Sequence, residues 1–400
     1  MPYLHVIRRP SVFRLLTGSW VGRLPSAMAA LAIPLALRDS GASYGFVGLA
    51  AGTFAVSSAL GAPVVGRWVD RRGQTAILAA TALLAAVGFI AIAATPDREA
   101  LVIIGAALAG AATPPLEPCL RALWPDLVPQ KDLESAYALD SSAQELVFVA
   151  GPLVVAGTLA VATPTAVLWA QAVLGLVGVL IVVTAEPSRR WRPMARSADW
   201  LGPLRERGLV LLLVCLAGVG FAIGTLNILV VHYAEHRGFP GGAPALLALH
   251  AGGSLVGVLV YGARTWATPL PRRALVIALG LLSGYALLVL LPPAPLMAPL
   301  IVLTGLFLAP LLATTFMLVG DLAPTGTTTE AFAWLITLFA AGTSAGSAVT
   351  GGVLQRADEH WGAACGALGV TLTVTLLFLG RRQLHANKDV NAITAPAESV

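Results

Sequence analysis

Twelve apolar runs decide what this 400-residue chain can become. They fall near 13–37, 44–65, 75–94, 100–121, 135–161, 164–184, 208–234, 243–262, 274–293, 297–319, 330–355 and 362–380. Crossing about 30 Å of hydrocarbon takes roughly 20 helical residues, so each run is long enough to span a bilayer. With 57% hydrophobic and 11% charged residues, the chain carries more apolar surface than a water-soluble core of its length encloses. The first run is not read as a cleaved signal, because it stays apolar past Pro34 to Leu37 and no small-x-small site precedes a soluble domain.

The chain also repeats itself. Residues 125–157 return 195 positions later as 320–352: Pro-Asp-Leu-Val-Pro as Gly-Asp-Leu-Ala-Pro, Ala-Tyr-Ala (136–138) as Ala-Phe-Ala (331–333), Gly151 and Gly157 as Gly346 and Gly352. A duplicated unit of six apolar runs predicts an all-α membrane protein of two pseudo-symmetric six-helix bundles, residues 1–185 and 208–383. A central loop (186–207) joins them, and a disordered tail (384–400) follows.

Charge sets the orientation. With an inside N-terminus, inside loops and tails hold 20 of the 25 Lys and Arg residues; Arg38, Arg98, Arg237 and Arg356 fall outside and Arg23 lies within the first run. The central loop alone carries six arginines. This asymmetry places both termini in the cytoplasm. The net charge of +5 is therefore a matter of topology, and nucleic acid is not expected as a partner. Trp68, Trp124 and Trp266 stand near inner helix ends, as interfacial anchors would. Arginine outnumbers lysine 23 to 2, which with abundant alanine suggests a GC-rich bacterial genome. Cys119, Cys215 and Cys365 each sit alone in apolar sequence, which supports neither a disulfide framework nor a zinc site.

Between the second and third runs, residues 66–74 read Gly-Arg-Trp-Val-Asp-Arg-Arg-Gly-Gln. This resembles the G-x-x-x-D-R-x-G-R signature of the major facilitator superfamily, with Gln74 in the last basic position. Gly66 and Gly73 permit a tight turn, and Asp70 can accept hydrogen bonds from a helix N-terminus. The resemblance implies that Asp70 clamps the two halves at the inner face, with Arg71 as its partner; Arg67 and Arg72 are expected to serve topology only. The second-half counterpart begins at Gly262 and has Trp266 in the place of Asp70. In the fifth run, Gly151-Pro152 and Gly157 partly match the antiporter motif of exporters in the superfamily. Val147, Val155 and Ala156 replace three of its glycines. The small residues there and at Gly342, Gly346, Gly351 and Gly352 are expected to pack helices closely, between the halves in the second case.

A charge at a helix centre costs about 2.5 to 3.5 kcal/mol unless it meets water or a partner. Arg23, Glu117, Asp140 and Glu145 fall within the runs, with Arg121 at the inner end of the fourth, while the second half offers Asn227, Thr314 and Thr315. At 1.5 Å per residue, Arg23 and Glu145 both lie near the midplane, which suggests a pair. Glu117, Arg121 and Asp140 suggest an inner gate cluster. Two cations then serve three carboxylates, and the surplus one, Glu145 or Asp140, is a candidate proton carrier; a permanently ionised Arg23–Glu145 lock is the alternative.

His232-Tyr-Ala-Glu235-His236 has the H-x-x-E-H spacing of a zinc peptidase. No third ligand follows on the same side of the membrane, so neither a metal nor a catalytic residue is expected. His250 is a candidate cavity or proton-relay residue. Altogether the sequence predicts a monomeric, multi-pass transporter of the bacterial cytoplasmic membrane. It would need no cofactor beyond a proton gradient, with membrane lipid and a small-molecule substrate as partners. Export of an amphipathic drug or metabolite is expected, with uptake of a sugar or organic acid as the alternative.

Overall fold

The computed structural model describes residues 2–194, 201–264 and 266–384; the expected disordered tail beyond Leu384, which is itself buried, and six positions of the central loop lie outside the described residues. Among the described residues twelve helices are long and apolar enough to cross a membrane: α1 (Ser11–Asp39), α2 (Tyr44–Arg72), α3 (Gln74–Ala94), α4 (Glu99–Leu127), α5 (Gln130–Leu159), α6 (Pro164–Val183), α7 (Arg207–Arg237), α8 (Gly242–Gly262), α9 (Leu270–Leu288), α10 (Ala294–Leu322), α11 (Thr328–Leu354) and α12 (Glu359–Leu379). Several run beyond the apolar segments, because helices continue into polar ends that hydropathy does not register. A short helix, Glu186–Arg190, opens the central loop.

One span departs from a continuous helix. α4 stops at Ala111 and restarts at Leu116, because Pro114 and Pro115 have no N–H to donate to the preceding turn. The chain crosses the gap by a tight turn, Leu116 N–H to the Pro114 carbonyl at 2.8 Å. The restarted helix carries both Glu117 and Arg121. At the far side of the second half, α9 ends earlier than the apolar run suggests, at Leu288. Leu291 beyond it takes a positive φ of 44°.

Packing repeats with the sequence. In the first half α1 lies on α5 and α6, α2 on α4, and α3 on α4 and α6; in the second, α7 lies on α11 and α12, α8 on α10, and α9 on α10 and α12. The principal seams between the halves obey the same symmetry: α2 against α11 and α8 against α5, α4 against α11 and α10 against α5.

Without a hydrophobic force between helices in lipid, such seams depend on close backbone approach and polar contacts. The small-residue faces supply the approach, but within each half. A Cβ on Gly151 would stand 2.8 Å from the Ala27 Cβ of α1, and one on Gly346 would overlap the Phe221 carbonyl of α7. The expectation that the α11 glycines pack between the halves is therefore corrected for Gly342 and Gly346, which face α7. Gly157 meets nothing and Gly352 touches only Arg356 of its own chain end.

Gly178 on α6 faces Gly22 on α1 so closely that any Cβ would overlap backbone. Gly178→Val is expected to cost at least about 1–3 kcal/mol by overpacking and to lower the apparent melting temperature of detergent-purified protein. Gly157→Ala should leave it unchanged or raise it slightly; equal behaviour of the two variants would contradict this packing.

Candidate functional site

The basic end of the molecule is closed by two related latches. In the first, α2 runs into the N-terminus of α11. Asp70, buried at 2% exposure, accepts the backbone N–H of Thr329 at 3.1 Å and of Glu330 at 2.8 Å. A helix N-terminus has unpaired N–H groups and a positive dipole end, and a carboxylate satisfies both. Gly66 allows the approach: a Cβ there would sit 3.1 Å from the Glu330 Cα and from the Ala333 Cβ. Gly73 ends α2 with φ of 98°, a conformation that favours glycine.

Arg71 is not the partner. It is exposed at the helix end, whereas Arg67, expected to serve topology, donates from Nε to the Glu330 carboxylate at 3.0 Å. The reason is helical spacing: Arg67 lies three residues before Asp70, on the same face, while Arg71 is rotated about 100° away.

The second latch uses the duplicate segment. Glu134 and Ser135 occupy the positions of Thr329 and Glu330, 195 residues earlier. Ser135 Oγ donates to the Gly262 carbonyl at the end of α8 at 2.8 Å, and Arg273 of α9 donates to Glu134 at 2.6 Å. Arg273 also reaches the Tyr261 hydroxyl at 2.9 Å and the Thr268 carbonyl at 3.2 Å. Where the first half offers a carboxylate to a helix N-terminus, the second offers a free helix carbonyl to a hydroxyl. That accounts for the absence of an Asp70 counterpart; Trp266 instead bonds the Tyr261 carbonyl at 2.9 Å.

Between the latches and the midplane lies the charged cluster. Arg121, 1% exposed, donates from Nε to Asp140 at 2.7 Å and pairs with Glu117 one turn earlier. Arg23 completes the group, with Nη2 on Glu117 at 2.9 Å and Nη1 on Asp140 at 3.7 Å, and it also donates to Gln144. Two cations thus meet two carboxylates, and the cluster is neutral.

The Arg23–Glu145 pair does not form. Glu145 is rotated about 140° from Asp140 along α5 and faces the other half, where Ser254 of α8 donates to it at 3.2 Å. Glu145 has no cation partner among the described residues. Asn227 stands apart, half-buried on α7. Thr314 and Thr315 are buried, with their hydroxyls bonded to helix carbonyls.

Arg121 has a further contact that the sequence did not announce. Its guanidinium carbon lies 3.4 Å from the ring centroid of Phe316 on α10 and 5.8 Å from that of Phe332 on α11. Phe316 is the 195-residue counterpart of Arg121 itself, so the two meet where equivalent positions of the halves face each other. The duplicated site has become a cation–π pair, a contact of about 2 kcal/mol when desolvated. Trp124 is fully buried beside this region and is no interfacial anchor, unlike Trp68, which is exposed.

At the opposite end small-residue faces of both halves stand open. A Cβ at Gly48 or Gly52 of α2, Gly157 of α5, Gly252 of α8 or Gly351 of α11 would meet nothing within 4 Å. The H-x-x-E-H segment belongs to that end. His232 and His236 stack with ring centroids 4.0 Å apart, His236 Nδ1 contacts the His232 carbonyl at 2.9 Å, and Arg237 pairs with Glu359. No group of three metal-ligating side chains forms among the described residues.

Comparison with known proteins matches this architecture. The profile of the Major Facilitator Superfamily matches residues 15–326. A bacterial homologue of the iron transporter ferroportin, in an outward-facing state, superposes with a TM-score of 0.78 over 92% of this chain and 99% of its own, at 14% identity. The human organic anion transporter MFSD10 (TETRAN) gives 0.72 over 93% and 100%, at 17% identity. The E. coli fucose:proton symporter FucP gives 0.69 over 95% and 99%, at 14% identity. No curated protein matches the sequence. At these identities the structural likenesses speak for the fold alone.

The Asp70 cap yields a prediction. Spin labels at Arg71→Cys and Thr325→Cys, both exposed at the basic end, should report one short distance in the otherwise unsubstituted protein. Asp70→Asn removes a charge-assisted contact of about 1.5–3 kcal/mol and should add a population at longer distance. An unchanged distribution would contradict the latch. Twelve membrane-crossing helices in two related bundles, the matched profile and the Gly66 to Gln74 motif identify the chain as a member of the major facilitator superfamily.

Proposed function

We propose that the protein is a proton-coupled secondary transporter that exports a small amphipathic compound by alternating access. The two halves rock about the central cluster, and a ligand moves the equilibrium only through its different affinity for the two arrangements. The arrangement seen here, latched at the arginine-rich end and with small-residue faces open at the other, is read as outward-facing, with the arginine-rich end cytoplasmic.

Glu145 is the observation that carries the coupling. Arg23 and Arg121 neutralise Glu117 and Asp140, which leaves Glu145, of the carboxyls near the cluster, as the one whose charge can change without breaking a buried ion pair. It sits on the seam between the halves, held by one hydroxyl of the other half. A group in that place feels the rocking motion directly, which a proton-coupling site requires.

Export is supported by the partial antiporter motif at Gly151 and Pro152. An amphipathic cargo fits a second half that faces the cluster with Phe316 and Phe332, where a sugar would call for amides.

The test is accumulation of fluorescent dyes in efflux-deficient cells expressing the chain, with and without a protonophore. Lower accumulation that the protonophore abolishes is expected, and its loss in Glu145→Gln, whose amide oxygen still accepts from Ser254. Raised accumulation, or none changed for any compound, would contradict export; full activity in Glu145→Gln would remove this carboxyl as the carrier.

A further inference from the structure

We propose that His250 is a second proton seat, placed on the half opposite Glu145, and that the two seats together hold or release the seam between α5 and α8. The proposal rests on the proton-coupled reading. It starts from the Thr304 hydroxyl, which has one hydrogen and donates it to the Ile301 carbonyl at 2.7 Å. In its 3.1 Å contact with His250 Nδ1 the Thr304 oxygen must therefore accept, and Nδ1 carries a hydrogen. Nε2 is then the lone-pair nitrogen of the neutral ring. It is buried and has no hydrogen-bond partner among the described residues. This open buried acceptor belongs to the residue one helical turn from Ser254, which holds Glu145.

The seat is fixed to its own half. Gly253 of α8 lies directly on the Val302 carbonyl of α10, and Gly305 of α10 on the His250 carbonyl, so His250 and Thr304 move together. Ser254, four residues after His250 and on the same face of α8, contacts Glu145 of the other half. Other ionisable groups on the neighbouring elements are engaged or distant. On α5, Glu134 is held by Arg273 and Asp140 by Arg121, while Lys131 and Asp132 lie at the basic end. On α10, Asp321 lies at the basic end; on α7, Arg207 lies there too, and His232, Tyr233, Glu235, His236 and Arg237 lie at the opposite end. Tyr261 of α8 is bonded by Thr314 and Arg273. Among the described residues, Glu145 is the charged group bonded to α8 one turn from His250, through Ser254.

A proton taken from water onto Nε2 while Glu145 is ionised sets an imidazolium and a carboxylate on opposite sides of the seam, and their attraction holds it closed. Returning the first proton to water, or adding another to Glu145, removes one charge and releases the seam.

The experiment is nitrogen-15 NMR of histidine-labelled full-length protein in nanodiscs over a pH titration. His250 is assigned by the signal lost in His250→Asn, which keeps a donor towards Thr304 but has no Nε2. The expected result is a neutral form protonated at Nδ1, converting to imidazolium on acidification, with a midpoint that moves by about one pH unit in Glu145→Gln. A neutral form protonated at Nε2, or a midpoint indifferent to Glu145→Gln, would overturn the proposal. In the dye assay His250→Asn should lose the protonophore-sensitive component, and retention would overturn the seat's part in coupling. No protonophore-sensitive export by the unsubstituted chain would overturn the coupling reading instead, while the NMR decides the seat independently.

Discussion

A carboxylate of one half satisfies the open N-terminus of a helix in the other. Asp70 and α11 meet with no side chain between them, because Gly66 leaves the α2 surface bare where Glu330 and Ala333 arrive. Two charge-assisted hydrogen bonds, each worth about 1.5–3 kcal/mol, hold the basic end closed. The counterpart latch is weaker in kind, since Ser135 gives a neutral hydrogen bond to Gly262 and the ion pair of Arg273 with Glu134 stands beside it. The two latches act at the same end and add to its closure, one through a capped helix N-terminus and the other through a hydroxyl and an ion pair.

The same economy governs the membrane interior. Four charged side chains would be costly singly, and they are gathered so that each cation meets a carboxylate. Removing one partner would strand a buried charge, a loss of about 3–5 kcal/mol, so these four residues act as a unit. Arg121 ties that unit to the other half through Phe316, its own image under the duplication. What the cluster does not absorb is Glu145, on the seam where α5 faces α8, and the open nitrogen of His250, one helical turn from Ser254 on α8.

Twelve spans, the duplication and the Asp70 motif were legible because they are written in hydropathy, repetition and a short pattern. Even the latch segments were marked, since residues 125–157 and 320–352 contain the ends of α5 and α11 that meet the other half. Partner identities were not legible. Helical phase gives Arg67 rather than Arg71 to Glu330 and turns Glu145 away from Arg23, and depth counted along a helix ignores phase. The break in α4 could have been read from Pro114-Pro115, but an unbroken hydropathy signal hid it. The glycines of α11 faced α7 for a related reason: a stripe of small residues announces close packing without naming the neighbour. Phe316 carried no sequence signal except its register with Arg121.

The duplicated segments latch the halves through specific polar contacts. A charge exchange at Arg67 and Glu330 tests this most directly, read by hydrogen–deuterium exchange of the first turn of α11 in purified, membrane-reconstituted protein. Arg67→Glu alone and Glu330→Arg alone should each speed exchange at Thr329 and Glu330, and the double exchange should restore most of the protection. Protection that survives both single changes, or that the double change fails to recover, would contradict the account.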